Sequence, residues 1–306
     1  MRSLTIKTWI FLLLITVLVL TGCAPTGTAG KTSKLELVDG LGRSVSLPKV
    51  PQKIVSLAPS NTELLFAVGA GPQVIGRDEF SDYPPEAKDL QSVGGSMGKY
   101  SYEQIAALQP DIVLAAEINT QEQVKALEDL HVTVYYLSNP KDIYGMLDNV
   151  LIVGKITGRD AEAAALVEKL KSRVEAVKQT VKQGGAPVKV FYELDGSDPS
   201  KPWTSGKGSF VDQLITMAGG VNVAADAGEG WMQLSQEALI LADPEVILLG
   251  DAAYGTSPES VGQRAGWDMI SAVVNNKIYT FDDNLVSRPD PRLVDGLEAI
   301  AKLIGK

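Results

Sequence analysis

Short apolar runs alternate with segments of helical spacing along most of the chain. The runs are Ile54–Leu57, Val74–Gly76, Asp111–Ala115, Val132–Leu137, Val188–Tyr192, Val246–Leu249 and Lys277–Phe281. Pro, Gly or polar residues bound them, and the alternation predicts a parallel α/β architecture. Ahead of them, Leu35, Leu37, Val45 and Leu47 alternate about Asp39-Gly40, the pattern of a hairpin with its turn at that pair. Ser60 with Glu63 three residues later predicts a capping box that opens a helix through Ala67, which Gly69 ends.

The chain also repeats itself. Ser101, Glu103, Pro110, Asp111 and the apolar residues after them match Ser235, Glu237, Pro244, Glu245 and their successors at a constant offset of 134 residues. Leu64–Gly71 is echoed by Leu214–Val221 at an offset of 150. Two matches in the same order predict two lobes of one design with an insertion in one of them. Between the repeats, Asp160 to Gln183 holds no Gly or Pro. Leu166, Val167, Leu170, Val174, Val177 and Val181 fall on one helical face. This long helix either joins the two lobes or lies on the surface of one larger domain.

At the N-terminus, Arg2 and Lys7 precede an apolar run from Trp9 to Leu20, too short to span the roughly 30 Å of a bilayer as a helix. It reads as a secretory signal. Leu20-Thr21-Gly22-Cys23 resembles the lipobox of bacterial lipoproteins, in which the cysteine is acylated and begins the mature chain. The expected organisation is a signal peptide at 1–22, a tether at 23–34, an N-terminal α/β lobe at 35–150, a linking helix at 151–185 and a C-terminal α/β lobe at 186–306. The folded body is expected outside the cytoplasm, held to the membrane by lipid on Cys23.

Composition narrows the chemistry. The formal charge is −9 and loss of Arg2 and Lys7 takes it to −11, which argues against nucleic acid as a partner. One Cys excludes a structural disulfide within the chain, and one His disfavours an imidazole-ligated metal. No catalytic or metal-ligating set is assigned, and no cofactor is expected. His131 follows a helix where a left-handed residue is often needed, which His tolerates. Glu103 and Glu237 fall in the first turns of helices capped by Ser101 and Ser235. There they either complement the helix dipole, at about 0.3–1 kcal/mol each, or meet arginines of a partner.

Five motifs bring in a resemblance. Ile54-Val-Ser-Leu-Ala-Pro-Ser-Asn-Thr-Glu63, Phe80-Ser-Asp-Tyr-Pro-Pro85, Leu108-Gln-Pro-Asp-Ile-Val113, Trp203-Thr-Ser-Gly-Lys-Gly208 and Arg288-Pro-Asp-Pro-Arg292 resemble the periplasmic-binding family for vitamin B12 and ferric siderophores. The likeness runs from about Lys34 to the C-terminus. It implies a non-enzymatic, monomeric substrate-binding protein of an ABC importer, with two Rossmann-like α/β lobes of mainly parallel sheets, one long rigid linking helix and a ligand cleft between the lobes.

The resemblance implies docking of Glu103 and Glu237, one per lobe, onto arginines of the permease dimer. It also implies a corrinoid ligand held by Phe80, Trp203 and Trp231, with Arg288 as a donor, whereas Ala116 and Met97 or a neighbour stand where the B12-binding protein has two further tryptophans. The alternative ligands are a ferric siderophore or haem, favoured by two or more cations in the cleft. A hydrolase is the distant alternative. It would need two acidic groups roughly 5–10 Å apart inside the cleft.

Overall fold

The structure, a computed structural model, describes residues 34–182 and 185–305. Cys23, the expected signal peptide and nearly all of the expected tether lie outside the described residues. Strands β1 (Leu35–Val38) and β2 (Ser44–Leu47) pair antiparallel as the alternation predicts. Their turn is not at Asp39-Gly40. The Asp39 carboxylate accepts the N–H groups of Leu41 and Arg43, so Asp39 opens the turn, which passes over Gly40-Leu41 to Gly42 at φ 76°. An Asp that bonds its own backbone two residues on belongs at the first turn position.

The N-terminal lobe holds β3 (Ile54–Ser56), β4 (Val74–Arg77), β5 (Gln91–Ser92), β6 (Ile112–Ala115) and β7 (Val134–Tyr136) in the order β5-β4-β3-β6-β7, all parallel. The C-terminal lobe holds β8 (Val188–Glu193), β10 (Gly220–Asn222), β12 (Val246–Leu249) and β13 (Ile278–Thr280) in the order β10-β8-β12-β13, also parallel. An antiparallel ribbon of β9 (Trp203–Ser205) and β11 (Trp231–Gln233) stands apart from that sheet.

The helices of the N-terminal half are α1 (Pro59–Ala67), α2 (Tyr102–Ala107), α3 (Gln121–Asp129), α4 (Ile143–Thr157) and α5 (Asp160–Lys182). In the C-terminal half they are α6 (Phe210–Met217), α7 (Gln236–Ala242), α8 (Pro258–Gly262), α9 (Ser271–Val274), α10 (Asn284–Ser287) and α11 (Leu293–Leu303). None of the described helices is long and apolar enough to cross a membrane.

Both sequence repeats land on equivalent elements. The offset of 134 carries β6 onto β12 residue for residue, with α2 and α7 ahead of them. The other repeat joins α1 to α6. The extra residues lie in the N-terminal lobe between β4 and α2, where β5 and its flanking turns are added.

The expected capping box does not form. Pro59 starts α1 two residues early, Ala58 is its N-cap, and no side chain caps it. Glu63 is free to turn inward. Ser235 does cap α7 through the Ala238 N–H, whereas Ser101 holds the N-cap position of α2 without a side-chain bond. His131 adopts φ 60°, as its place after α3 suggested. The linking helix is α5 alone. Residues 151–157 close α4 instead, and Gly158 at φ 69° ends that helix before α5 begins.

The central strands are buried on both faces, and successive residues face different clusters. Ile54, Ile112, Leu114, Val190, Tyr192, Val246 and Leu248 join one apolar cluster, together with the inner faces of α4, α5 and α11. Their neighbours Val55, Val113 and Ala115 face a cluster of the N-terminal lobe, and Phe191, Ile247 and Leu249 a cluster of the C-terminal lobe. Each sheet thus gives one face to its own lobe and the other to a core that both lobes share.

At Gly154, α4 and α5 approach closely. A Cβ there would lie 2.3 Å from the Ala163 Cβ. Gly154→Ala gains about 1 kcal/mol of helix propensity, but must push two helices of the shared core apart. Overpacking wins, and a net loss of about 1–3 kcal/mol is expected in urea unfolding. Equal or greater stability would show that the crossing is loose.

Candidate ligand cleft

In parallel α/β sheets ligands gather beyond the carboxyl ends of the strands, where the loops are free of the ladder. Both sheets bring such loops to the junction of the lobes. A cavity of 580 Å³ is lined by Glu117, which follows β6, and Asn139–Lys141, which follow β7. From the other lobe it takes Gly208–Phe210, Trp231 and Ser287 among others. A second cavity of 950 Å³ adjoins it, lined by Leu194–Ser197 after β8, Asp251 and Tyr254–Thr256 after β12, Arg264, Trp203 and Trp231. Trp231 belongs to both.

The two tryptophans owe their placement to the ribbon. Trp231 pairs with Ser205, and Gln233 with Trp203. Partners across an antiparallel pair share a face, as do residues two apart on a strand. Trp203 and Trp231 therefore form a diagonal pair on one face, 41% and 46% exposed, while Thr204 on the opposite face is buried and donates to the Tyr192 carbonyl. Exposed indole faces over a cavity offer large contact area at little entropic cost. Tyr254, 91% exposed, adds a third aromatic that sequence reasoning missed. It sits in a Gly/Ala-rich loop without a periodic signal.

Phe80 is 53% exposed, in the loop after β4, and lines neither cavity. Its N–H donates to Asp78, whose carboxyl burial pushes above the usual range, with the Ser81 hydrogen bond and Arg77 opposing. Arg288 does not stand free. Its Nη1 donates to Glu63 at 3.0 Å and to Asp82 at 3.3 Å, both in the other lobe. Arg292 adds two further bonds to Glu63, and its guanidinium lies 4.0 Å from the centre of the Tyr83 ring. Glu63, with a side chain only 2% exposed, thereby joins the lobes.

The floor of the larger cavity holds another ion pair. Arg264 donates to both carboxylate oxygens of Glu193 and stacks 4.6 Å from the Trp267 ring centre. Burial raises the Glu193 carboxyl, and the Arg264 guanidinium offsets part of that rise. The guanidinium groups of Arg288, Arg292 and Arg264 are thus all engaged by carboxylates. Neither Glu63 nor Arg264 carried a sequence signal for pairing, because their partners lie far away in the chain.

Glu103 and Glu237 are exposed in the first turns of α2 and α7. Each helix runs into its strand through a short turn, so its N-terminus lies at the strand's carboxyl end, on the cleft side of its sheet. The two carboxylates occupy equivalent positions in the two lobes and line neither cavity.

The family model for periplasmic binding proteins matches residues 54–285 of this chain. The chain belongs to the periplasmic binding protein family. Members of that family carry solutes for transport, so this one is a binding protein and not an enzyme. It is 31% identical, over 87% of its length and 84% of the relative's, to the uncharacterized ABC transporter substrate-binding lipoprotein YvrC of Bacillus subtilis. Among solved structures it resembles a possible iron-binding (periplasmic solute-binding) protein of Staphylococcus epidermidis, with 30% identity, a TM-score of 0.73, and coverage of 84% of this chain and 100% of the other. It also resembles the periplasmic vitamin B12 binding protein BtuF of Vibrio cholerae, with 25% identity, a TM-score of 0.71, and coverage of 84% and 97%.

This family member buries a carboxyl beside its interlobe ion pairs. Burial, and then the Glu63 charge, push the Asp290 carboxyl well above the usual range, while the Arg292 N–H and guanidinium pull it back. Its Oδ1 accepts the Arg292 N–H, and its buried Oδ2 has no partner among the described residues. A carboxyl raised in the fold favours folding fully below its unfolded value, near 4, and loses that contribution as pH climbs toward the raised value. Asp290→Asn mimics the protonated form. In unfolding measured across pH it should be more stable than the parent at pH 7, with the difference vanishing near pH 3. A variant less stable at pH 7 would show that Asp290 is held charged.

Proposed function

We propose that the protein is a lipid-anchored, extracytoplasmic substrate-binding protein of an ABC importer that captures a corrinoid and delivers it to the permease. The observation that carries the ligand class is the diagonal pair Trp203 and Trp231, exposed over a 950 Å³ cavity beyond the carboxyl ends of the strands. Such a wall suits a large, flat, partly apolar ligand. The B12-binding relative of Vibrio cholerae supports the same class. Charge points the same way. Glu117, Asp195 and Asp251 line the two cavities, and Arg264 is neutralised by Glu193, which leaves Lys141 as the lining cation without an ion pair among the described residues. A polyanionic ferric siderophore would meet mostly carboxylates there, whereas the amide groups of a corrinoid would not be repelled.

Trp231 is the central anchor in this reading and Trp203 its partner, with Phe80 on the N-terminal lobe and Arg288 on the C-terminal one completing the set. Arg288 spends only Nη1 on its carboxylates, so Nε and Nη2 would be its donors to a ligand. Glu103 and Glu237 would meet arginines of a two-fold permease, where charge complementarity mainly sets encounter rate and register. Lipid on Cys23 would hold the protein at the membrane, in keeping with the lipoprotein character of YvrC.

Calorimetric titration with cyanocobalamin should show saturable binding at micromolar concentration or below, and Trp231→Ala should weaken it 10- to 100-fold, as a central aromatic anchor does. Saturation by hemin or a ferric siderophore instead, with no heat from cyanocobalamin, would keep the importer role and overturn the corrinoid.

The docking assignment has its own test. In vesicles containing the permease, Glu103→Ala with Glu237→Ala should abolish uptake and leave ligand affinity unchanged. A loss of affinity would place these carboxylates at the ligand.

A further inference from the structure

On a different side of the lobe junction lies a cavity of 660 Å³ that the cleft does not include. Three parts of the fold build it: the end of α1 with Phe66, the loop carrying Tyr83, and the linking helix at Leu166, Lys169 and Leu170, closed by Pro291 and Arg292 ahead of α11. Its walls are mostly apolar, with Phe66, Pro72, Tyr83, Pro84, Leu166, Leu170 and Pro291 contributing. Its volume falls within the roughly 300–1,000 Å³ of small-molecule sites, which pair apolar walls with a few fixed polar groups.

The polar groups fix the ligand's charge. Arg173 is held by Asp295 and Glu298, and Glu63 is held by Arg292 and Arg288. Lys169 has no ion pair among the described residues and lies on the exposed rim. Glu63 takes only Nε and Nη2 of Arg292, so Nη1 remains as a second donor. Among the carboxylates of the lining, only Glu86 is unpaired, and it sits on the loop side beyond Tyr83.

We propose that this cavity is a second binding site, for a compact amphipathic anion whose apolar body lies between Phe66 and the Leu166–Leu170 turn and whose acidic group meets Lys169. An occupant would touch both lobes and the helix that links them. The assignment stands independently of which ligand fills the cleft.

The test uses 8-anilinonaphthalene-1-sulfonate, an aromatic anion that brightens in apolar surroundings, with purified Cys23→Ser protein so that no acyl chain competes for the dye. One saturable site is expected, kept in Trp231→Ala. Ala67→Trp, at an exposed lining position, and Lys169→Glu should each weaken it at least tenfold while circular dichroism and unfolding midpoint stay those of the parent. Absence of a saturable site would overturn the proposal, as would a site lost in Trp231→Ala and kept in Ala67→Trp, which would put the dye in the cleft. A site kept at full strength in Lys169→Glu would overturn the anionic class.

Discussion

Both sheets of this protein bury one face in a single apolar cluster organised around α4, α5 and α11, and the geometry of the cleft depends on that sharing. Each fully buried aliphatic or aromatic side chain contributes about 1.5–3 kcal/mol. Parting the lobes would expose side chains of this cluster on both sides of the break. Exposed ion pairs at roughly 0–1 kcal/mol each could not hold the lobes against such a cost, nor are they needed to. The core sets the distance between the two sets of strand ends, and the cleft is the space left beyond them.

The Glu63 cluster plays a different part. A carboxylate with almost no exposure, held by two arginines of the other lobe, adds little net stability over apolar packing but is expensive to break once buried. What it supplies is register. Arg288 and Arg292 reach Glu63 only with the lobes in one relative orientation, and the stacking of Arg292 on Tyr83 narrows that orientation further. The apolar core is tolerant of small sliding; a bidentate ion pair is not. Together they give a cleft of defined width, lined by loops that are free to differ between the lobes.

Those loops account for the asymmetry of a duplicated body. Four strands take the same order in both lobes, yet β5 and the loop with Phe80 and Tyr83 belong only to the N-terminal one, and the ribbon that carries Trp203 and Trp231 only to the C-terminal one. Duplication preserved what the shared core constrains, the strands and the helices against them. The added segments lie mostly at the carboxyl ends of the strands, where no ladder has to be maintained, and they carry the aromatics of the proposed ligand walls; the amphipathic cavity draws instead on the end of α1 and the linking helix.

Apolar runs between segments of helical spacing, the repeats and the five motifs made the fold class legible from the residues, because strands buried on both faces read as continuous apolar runs. The helical face of α5 was legible from its three-to-four-residue spacing, and the left-handed His131 from its place just after a helix. Trp203 and Trp231 were visible as aromatics among Pro, Gly and Ser, but only the strand register put them on one face. The Ser60–Glu63 spacing was misleading: Pro59 took the start of the helix, and Glu63 went to arginines more than two hundred positions away. Arg288 was visible as a charge, whereas its engagement by Glu63 and Asp82 was not. Local periodicity is written along the chain because neighbouring residues share one element. Partnerships between lobes are decided by how two finished sheets meet, and no short stretch of sequence carries that distance.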